Sequence, residues 1–210
     1  MLYVLVADDH AVVRLGLRSI IDDTPDLRVA AEVSTGAEVL TLTRERRFDV
    51  VLLDLTMPGT SGLEVLAHLR AEHPRLPVLV LSMHAEDQYA VRVLRAGAAG
   101  YLNKESAPER LVEAIRRVAA GGRYVSPETA ERLLDAVTIG SQGPEHEALS
   151  DREFQVMRLL AGGLAVGEIA DRLSRSVKTV STYRTRVLET LHMRTNADLT
   201  RYALANGLIE

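Results

Sequence analysis

Apolar residues follow two different periods along the first 121 residues of the chain. Short apolar runs rich in β-branched residues are separated by longer amphipathic stretches that have the period of a helix. The five runs are Leu2–Ala7, Leu27–Val33, Val50–Leu53, Val78–Ser82 and Gly100–Leu102. This alternation predicts five βα units, in which helices cover both faces of a parallel sheet. Such a sheet binds its ligands beyond the carboxyl ends of the strands.

The rest of the chain lacks the strand pattern. In residues 122–147, Ser126 and Pro127 are the expected cap and first-turn residue of a helix that continues to about Val137. Residues 140–147 contain no apolar side chain and are typical of a flexible linker. From residue 148 to residue 210 the apolar residues recur only at helical spacings, which predicts a second, smaller, all-α domain.

The pattern of this all-α domain matches a helix-turn-helix. Ser150 and Glu153 form a predicted capping box at the start of its first helix. A short helix over Val166–Leu173 precedes a turn of about three residues and a longer helix from Val177 to about Thr190. A fourth helix is predicted over Asn196–Ala205. In a helix-turn-helix, the second helix of the pair enters the DNA major groove.

One side of the longer helix carries polar residues that suit DNA contact. At about 100° per residue, Val180, Val187 and Leu188 lie together on the opposite, apolar side. The candidate DNA-contacting residues are Lys178, Thr179, Ser181, Thr182, Thr185 and Arg186. We expect Arg186 or Lys178 to read guanine. Such a face on a lone helix is typical of solvent exposure, but the helix-turn-helix context favours DNA contact.

Composition and charge exclude several classes of protein. The 47% hydrophobic and 26% charged residues, with a net charge of −4, exclude a disordered or strongly basic chain. The absence of cysteine excludes disulfides, thiolate metal sites and cysteine nucleophiles. No apolar run approaches the roughly 18 residues of a membrane span, and the start of the chain lacks a basic signal-peptide region. We therefore expect a cytoplasmic protein without a membrane partner, whose only basic segment is residues 148–210.

Polar side chains follow several of the predicted strands. Asp8 and Asp9 come after the first run and Asp54 after the third, so parallel strands would bring them to one edge of the sheet. Such carboxylates repel one another unless a hard cation lies between them, and Mg²⁺ prefers oxygen ligands. Ser82 ends the fourth run and Lys104 follows the fifth. A carboxylate nucleophile, a metal, a hydroxyl and an ammonium together suit acceptance of a phosphoryl group.

Simpler roles are open to some of these residues. Acidic residues often end strands because loops are solvated, and Asp8 suits an N-terminal cap for the helix that begins near His10. We expect His10 to be a solvated helix-start residue rather than a metal ligand, since Mg²⁺ prefers oxygen. His84, near the same edge, is expected to be an exposed loop histidine. The recurrence of suitable residues at several strand ends favours a built site.

These residues resemble a known family. The matching motifs are Asp8-Asp9, Asp54-Leu55-Thr56-Met57-Pro58-Gly59, Ser82 and Gly97-Ala98-Ala99-Gly100-Tyr101-Leu102-Asn103-Lys104. In order and spacing they resemble the receiver domain of bacterial two-component response regulators over residues 1–121. The resemblance implies an α/β flavodoxin-like (βα)5 fold whose Asp54 takes a phosphoryl group from a sensor histidine kinase.

The same resemblance implies a role for each residue at the strand ends. Asp9 and Asp54, with the backbone carbonyl of Thr56, would hold Mg²⁺, and Asp8 would act partly through water. Lys104 would pair with the acyl phosphate, and Ser82 would hydrogen-bond one of its oxygens. Tyr101 matches a switch aromatic that turns inward on phosphorylation, although as a residue alone it suits an ordinary half-buried ring.

The helical domain resembles a second family. Its matching segments are Leu149–Glu153, Gly167–Ala170, Val177–Tyr183 and Ala203–Ile209. They are similar to the LuxR-type four-helix helix-turn-helix DNA-binding domain, and its pairing with a receiver is the architecture of the NarL/FixJ subfamily. The resemblance implies phosphorylation-controlled binding to double-stranded DNA and a homodimer in the phosphorylated or DNA-bound state. Two departures are the Ala165-Val166-Gly167 turn and a longer helix with few cations.

Two other functions have a basis in the sequence. A Mg²⁺-dependent phosphatase resembling the haloacid dehalogenases would have a second aspartate two residues after the nucleophile, but Thr56 occupies that position. A DNA-binding or interaction module with a degenerate receiver would lack required residues, and here all are present. We therefore expect a transcription regulator that is not an enzyme beyond assisting its own phosphorylation and dephosphorylation.

Overall fold

The computed structural model describes residues 1–82, 86–104, 106, 108–126, 130, 145–173 and 175–209, without the side chains of residues 86–89, 91, 147 and 151. The chain divides into two compact units, Met1–Thr138 and Ile139–Glu210. The predicted helix from Ser126 to about Val137, most of the predicted linker at 140–147 and the predicted loop histidine His84 lie outside the described residues. Among the described helices, none combines the length and apolar character that crossing a membrane requires.

The first unit is built on a five-stranded parallel sheet in the order β2-β1-β3-β4-β5. The strands are β1 (Leu2–Ala7), β2 (Leu27–Val33), β3 (Val50–Asp54), β4 (Val78–Ser82) and β5 (Gly100–Asn103). The helices are α1 (Ala11–Asp22), α2 (Gly36–Glu45), α3 (Gly62–Glu72), α4 (Glu86–Arg95) and α5 (Pro108–Ala119). The predicted flavodoxin-like fold is confirmed, with β3 and β5 each one residue longer than predicted.

The core of this unit lies between the central strands and the helices that cover them. All five residues of β3 and of β4 are buried, which explains why these strands are continuous apolar runs rather than alternating ones. The inner face of α5 adds buried side chains at helical spacing, namely Leu111, Ala114, Ile115 and Val118. Burial of each large aliphatic side chain stabilises the fold by about 1.5–3 kcal/mol.

Local hydrogen bonds fix where the helices of this unit begin. Thr35 caps α2 and Ser61 caps α3, and each forms a capping box with a glutamate three residues later. The cap residue of α1 is His10, whose side chain makes no capping bond. Asp8 does accept a hydrogen bond from the His10 backbone N–H, at 2.8 Å. The cap residue of α1 is therefore His10 and not Asp8, although one Asp8 oxygen satisfies the His10 backbone N–H.

The second unit consists of four α-helices after a short 3₁₀ turn at Glu145–Ala148. The helices are α6 (Asp151–Ala161), α7 (Val166–Arg172), α8 (Val177–Thr190) and α9 (Asn196–Ala205). The predicted all-α helix-turn-helix domain is confirmed, as is the capping box of Ser150 and Glu153. The core contains Phe154, Met157, Ile169, Val180, Val187 and Leu199. Val177, by contrast, is 56% exposed, because it is the first residue of α8 and lies beyond the packed part of that helix.

Gly62 lies where α3 approaches the end of β3 most closely. A Cβ at this position would lie 2.5 Å from the carbonyl oxygen of Asp54 and 2.6 Å from Cα of Leu55. We expect Gly62→Ala to lower the free energy of unfolding by about 1–3 kcal/mol, because backbone would have to move. Gly16→Ala is the matched control, since a Cβ there meets nothing within 4 Å. Urea denaturation of both variants checks this, and equal effects would contradict it.

Candidate functional site

The carboxyl ends of four parallel strands meet at one edge of the sheet. β1 pairs with β3 through Ala7 and Leu53, so Asp8 and Asp54 follow these two residues on neighbouring strands. β4 pairs with β5 through Ser82 and Asn103, and Lys104 is the next residue along the chain. The sheet register therefore delivers two carboxylates, a hydroxyl and an ammonium to the same edge.

Lys104 lies between two buried carboxylates. Its Nζ is 2.7 Å from Oδ2 of Asp8 and 2.8 Å from Oδ2 of Asp54. The exposed fraction of the Lys104 side chain is 4%, and that of each aspartate is 1%. Among the described residues, Lys104 is the only partner of either Oδ2, so this shared ion pair is what offsets their charge. One cation thus faces two anions in a site with little access to water.

Burial changes the protonation chemistry of Asp54. Loss of solvent raises the pKa of this carboxyl above its usual range, and the nearby charge of Asp8 raises it further. The Lys104 ammonium and the Thr56 backbone N–H, 3.2 Å from Asp54 Oδ1, oppose that rise in pKa. The Asp54 anion is therefore poorly solvated, so a cation or an electrophile that approaches it meets little competition from water.

Two further groups lie at the outer side of this pocket. Asp9 and His10 are exposed, and the Nδ1 atom of the His10 ring is 2.8 Å from Asp9 Oδ1 and 3.3 Å from Asp8 Oδ1. One ligand atom from each of Asp8, Asp9, His10 and Asp54 lies within 4.8 Å of all the others. Three carboxylates so close together are a donor set that fits a hard divalent cation such as Mg²⁺.

Arg14 supports the site and was missed in the sequence. Its Nη1 donates a hydrogen bond of 2.6 Å to the backbone carbonyl of Asp8, and its Nε lies 3.8 Å from Oε2 of Glu32 on β2. Arg18, one turn further along α1, also pairs with Glu32, at 3.0 Å. These contacts tie the loop that carries Asp8 to α1 and β2. The only signal in the sequence was a pair of arginines on the polar face of α1.

The two candidate switch residues are enclosed in the fold. Ser82, the last residue of β4, is 0% exposed, and Tyr101 in β5 is 1% exposed. The backbone N–H of Lys104 donates to the carbonyl oxygen of Ser82 at 2.9 Å, which links the ends of the two strands. Thr56, whose carbonyl is the remaining candidate metal ligand, is exposed.

The predicted DNA-contacting residues lie along the solvent side of α8. Lys178 and Arg186 are exposed, and within the described part of the chain the ion-pair contact of Arg186 is a long one with Glu153, at 3.9 Å. The hydroxyls of Thr182 and Thr185 donate to the carbonyl oxygens four residues earlier, at 3.0 and 3.1 Å. The remaining candidates are Thr179, which hydrogen-bonds the cap residue of α8, and Ser181, which is exposed. The two cations are therefore the strongest free donors among these candidates.

Two family models match the chain. The response regulator receiver domain matches residues 4–116, and the luxR family of bacterial regulatory proteins matches residues 147–203. Response regulator GacA of Pseudomonas protegens is 40% identical over 210 residues, covering 100% of this chain and 99% of the relative. Response regulator UvrY of Escherichia coli K12 is 36% identical over 209 residues, covering 99% of this chain and 96% of the relative.

A solved structure of a regulator bound to DNA is similar as well. RcsB from Salmonella enterica serovar Typhimurium, bound to promoter rprA in the presence of the phosphomimetic BeF3⁻, has a TM-score of 0.65 at 27% identity. The match covers 96% of this chain and 97% of that chain. From family models, relatives and structures together, the chain belongs to the bacterial response regulators of the NarL/FixJ type, transcription regulators that join a receiver domain to a LuxR-type DNA-binding domain.

Proposed function

We propose that Asp54 accepts a phosphoryl group from a sensor histidine kinase and that this modification controls sequence-specific DNA binding through α8. The observation that carries this proposal is the buried Asp54 carboxylate, which lies 2.8 Å from the Lys104 ammonium at the ligand-binding edge of the sheet. In the transfer, an Asp54 oxygen bonds to phosphorus while the bond from phosphorus to the kinase histidine breaks. The leaving imidazole nitrogen keeps the electron pair of that bond.

The residues around Asp54 have complementary tasks in this proposal. Asp9, Asp54 and the Thr56 carbonyl would hold Mg²⁺, with Asp8 acting partly through water. Bound Mg²⁺ supplies neutralisation of charge on the phosphoryl oxygens. Lys104 moves from its two carboxylates to the acyl phosphate, and Ser82 donates a hydrogen bond to a phosphoryl oxygen.

Phosphorylation must bias an element with two arrangements before it changes output. The modification adds a charge of about −1.5 to −2 and three acceptor oxygens. These oxygens attract the Lys104 ammonium and accept a hydrogen bond from the Ser82 hydroxyl. Tyr101 lies on the strand next to Ser82 and is already buried. We therefore propose that phosphorylation holds the Tyr101 ring in this buried position, together with the elements from α4 to α5. Phosphorylation is not needed to bury the ring.

The output of the switch is DNA binding by the second unit. We assign residues 1–121 to the receiver, 122–147 to a linker with one helix, and 148–210 to the DNA-binding domain. A homodimer in the phosphorylated or DNA-bound state would read paired half-sites one or more helical turns apart. The protein acts in the cytoplasm, where its DNA target lies, and its chemistry is limited to its own phosphorylation and dephosphorylation.

Treatment with acetyl phosphate and Mg²⁺ tests the proposal. We expect intact-mass measurement to show a gain of about 80 Da, because one phosphoryl group replaces a proton. Light scattering on the same sample is expected to show a shift toward the dimer, and Asp54→Ala is expected to lose both effects. Asp49→Ala, at an exposed aspartate before β3, is the matched control and is expected to retain both.

The same measurements also distinguish the proposed function from the two alternatives, a degenerate receiver and a phosphatase. No mass gain under conditions that phosphorylate a known receiver would contradict the proposed phosphoacceptor chemistry and favour a degenerate receiver. Steady hydrolysis of phosphate monoesters would instead favour a phosphatase. A mass gain that survives Asp54→Ala would place the modification on another residue.

A further inference from the structure

We propose that a pocket at the amino-terminal edge of the sheet binds a compact polyphosphate anion of about the size of pyrophosphate. The pocket has a volume of about 240 Å³ and is lined by the ends of α3 and α5 and by the loops that precede β4 and β5. Asp54 lies at the opposite, carboxyl edge of the same sheet. The inference therefore concerns a second site, which is separate from the proposed phosphoacceptor chemistry.

The charge of the pocket lining is the first observation behind this proposal. Arg70, Arg75 and Arg123 all contribute to the lining, and the described lining residues include no carboxylate and no aromatic ring. Three cations around a small pocket repel one another, and a multivalent anion between them would offset that repulsion. Guanidinium groups suit phosphate in particular, because two parallel N–H donors match two phosphate oxygens. Without an aromatic ring the described lining has no surface on which a nucleobase would stack.

The placement of Arg70 is the second observation. This side chain is partly buried, and its Nη1 donates a hydrogen bond of 2.7 Å to the Pro74 carbonyl. Its stem packs against Gly97, where a Cβ would lie 3.0 Å from Arg70 Nε and 3.1 Å from Cγ. The other N–H groups of Arg70 have no partner among the described residues. A bound anion thus meets a guanidinium that is already held in place, which lowers the entropy cost of binding.

The nearby helix ends account for only part of the positive charge. Cations stabilise the C-terminal end of a helix, and Arg70 does so in the last turn of α3 through its bond to the Pro74 carbonyl. Arg75 and Arg123 lie beyond the ends of α3 and α5, and both are exposed. Neither forms a hydrogen bond or an ion pair with any residue that the structure describes. Their donors therefore remain available to an anion in the pocket.

Calorimetric titration of the full chain with pyrophosphate in Mg²⁺-free buffer tests the inference. We expect one pyrophosphate to bind with a Kd below about 1 mM. Arg123→Gln is expected to lower this affinity at least about 10-fold, because a charged hydrogen-bond donor is lost. Arg70→Lys is expected to lower it at least about 3-fold, because an ammonium keeps the charge but not the paired donors. The matched control is Arg110→Gln, an exposed position in the first turn of α5, at the other end of that helix, and it is expected to leave the affinity unchanged.

Proton–nitrogen NMR spectra of the full chain during the same titration locate the anion. We expect the amide signals of Gly97 and Gly121, which line the pocket, to shift, and that of Gly59, in the loop after Asp54, to stay in place. Absence of binding, or an equal loss of affinity in Arg110→Gln and Arg123→Gln, would overturn the inference. Shifts at Gly59 in place of Gly97 would put the anion at the carboxyl edge and would also overturn it. None of these outcomes depends on whether Asp54 gains mass.

Discussion

Replacing Lys104 with methionine is expected to lower the free energy of unfolding of the first unit by about 3–5 kcal/mol in metal-free buffer. Lys104 is the cation within 2.8 Å of both Asp8 and Asp54, and all three side chains are buried. Methionine fills a similar volume, so the loss comes from charge rather than from a cavity. Without the ammonium, two buried carboxylates face each other and one of them must take up a proton or remain poorly solvated.

A second substitution separates this charge effect from a general packing defect. Lys104→Met combined with Asp54→Asn removes both the cation and one anion, so we expect most of the lost stability to return. Added Mg²⁺ is expected to restore stability to the single variant but not to the double variant. Hydrogen exchange of amides in β1 and β3, followed by mass spectrometry in the full chain, measures the local opening free energy.

The chain offers a matched control, because its second lysine is the exposed Lys178 of the other unit. Lys178→Met is expected to leave the protection of β1 and β3 unchanged. If Lys104→Met exchanges no faster than this control, the ion pair contributes nothing to stability. If Asp54→Asn fails to restore protection, the defect lies in packing.

The residues at the sheet edge could be predicted from the sequence, because the apolar pattern of each strand is a local and periodic feature of the chain. β3 and β4 are buried on both faces, so their apolar runs end where the chain leaves the sheet. Asp54 was expected just after the third strand but is its last residue, because its pairing with Leu81 extends the ladder by one step. The capping box of Ser150 and Glu153 could also be predicted from the sequence, since its bonds join residues that are three positions apart.

The contacts inside the pocket could not be predicted in the same way. Spacing brings Lys104 to the edge, but only the side-chain conformation decides that it bridges Asp8 and Asp54. The bond from Arg14 to the Asp8 carbonyl depends on how α1 packs beside the first strand. The orientation of His10 toward the carboxylates depends on the rotamer of one exposed ring. Each of these features is set by packing or rotamer choice, which hydrophobic periodicity does not encode.

Lys178 and Arg186, the two exposed cations of α8, are expected to contact different parts of the DNA. Lys178 is the second residue of α8, and Arg186 lies eight residues later, which is about 12 Å along the helix axis at 1.5 Å per residue. In a helix-turn-helix, the N-terminal residues of the recognition helix contact base edges. From these positions we expect Lys178 to contact a base and Arg186 to contact a phosphate. The sequence alone left open which of the two reads guanine.

Lys178→Ala is therefore expected to cost about 1–3 kcal/mol of binding free energy on the preferred duplex and to relax the preference at one base pair. Arg186→Ala is expected to weaken binding to all duplexes alike and to reduce the slope of log affinity against log salt by about 1. Thr182→Val is expected to change affinity by less than about 3-fold, because its hydroxyl proton is already donated to the Lys178 carbonyl. Selection from random duplexes followed by salt-dependent fluorescence anisotropy measures all three effects.

Arg47→Ala is the matched control for the loss of one positive charge, since Arg47 is exposed on the first unit. It is expected to alter neither the salt slope nor the base preference, because all of the predicted DNA-contacting residues belong to the second unit. The assignment fails if Lys178→Ala lowers affinity uniformly and Arg186→Ala relaxes one base position, since α8 would then enter the groove by its other end. Equal losses for both variants and for Arg47→Ala would show that net charge, rather than contact along α8, controls the affinity.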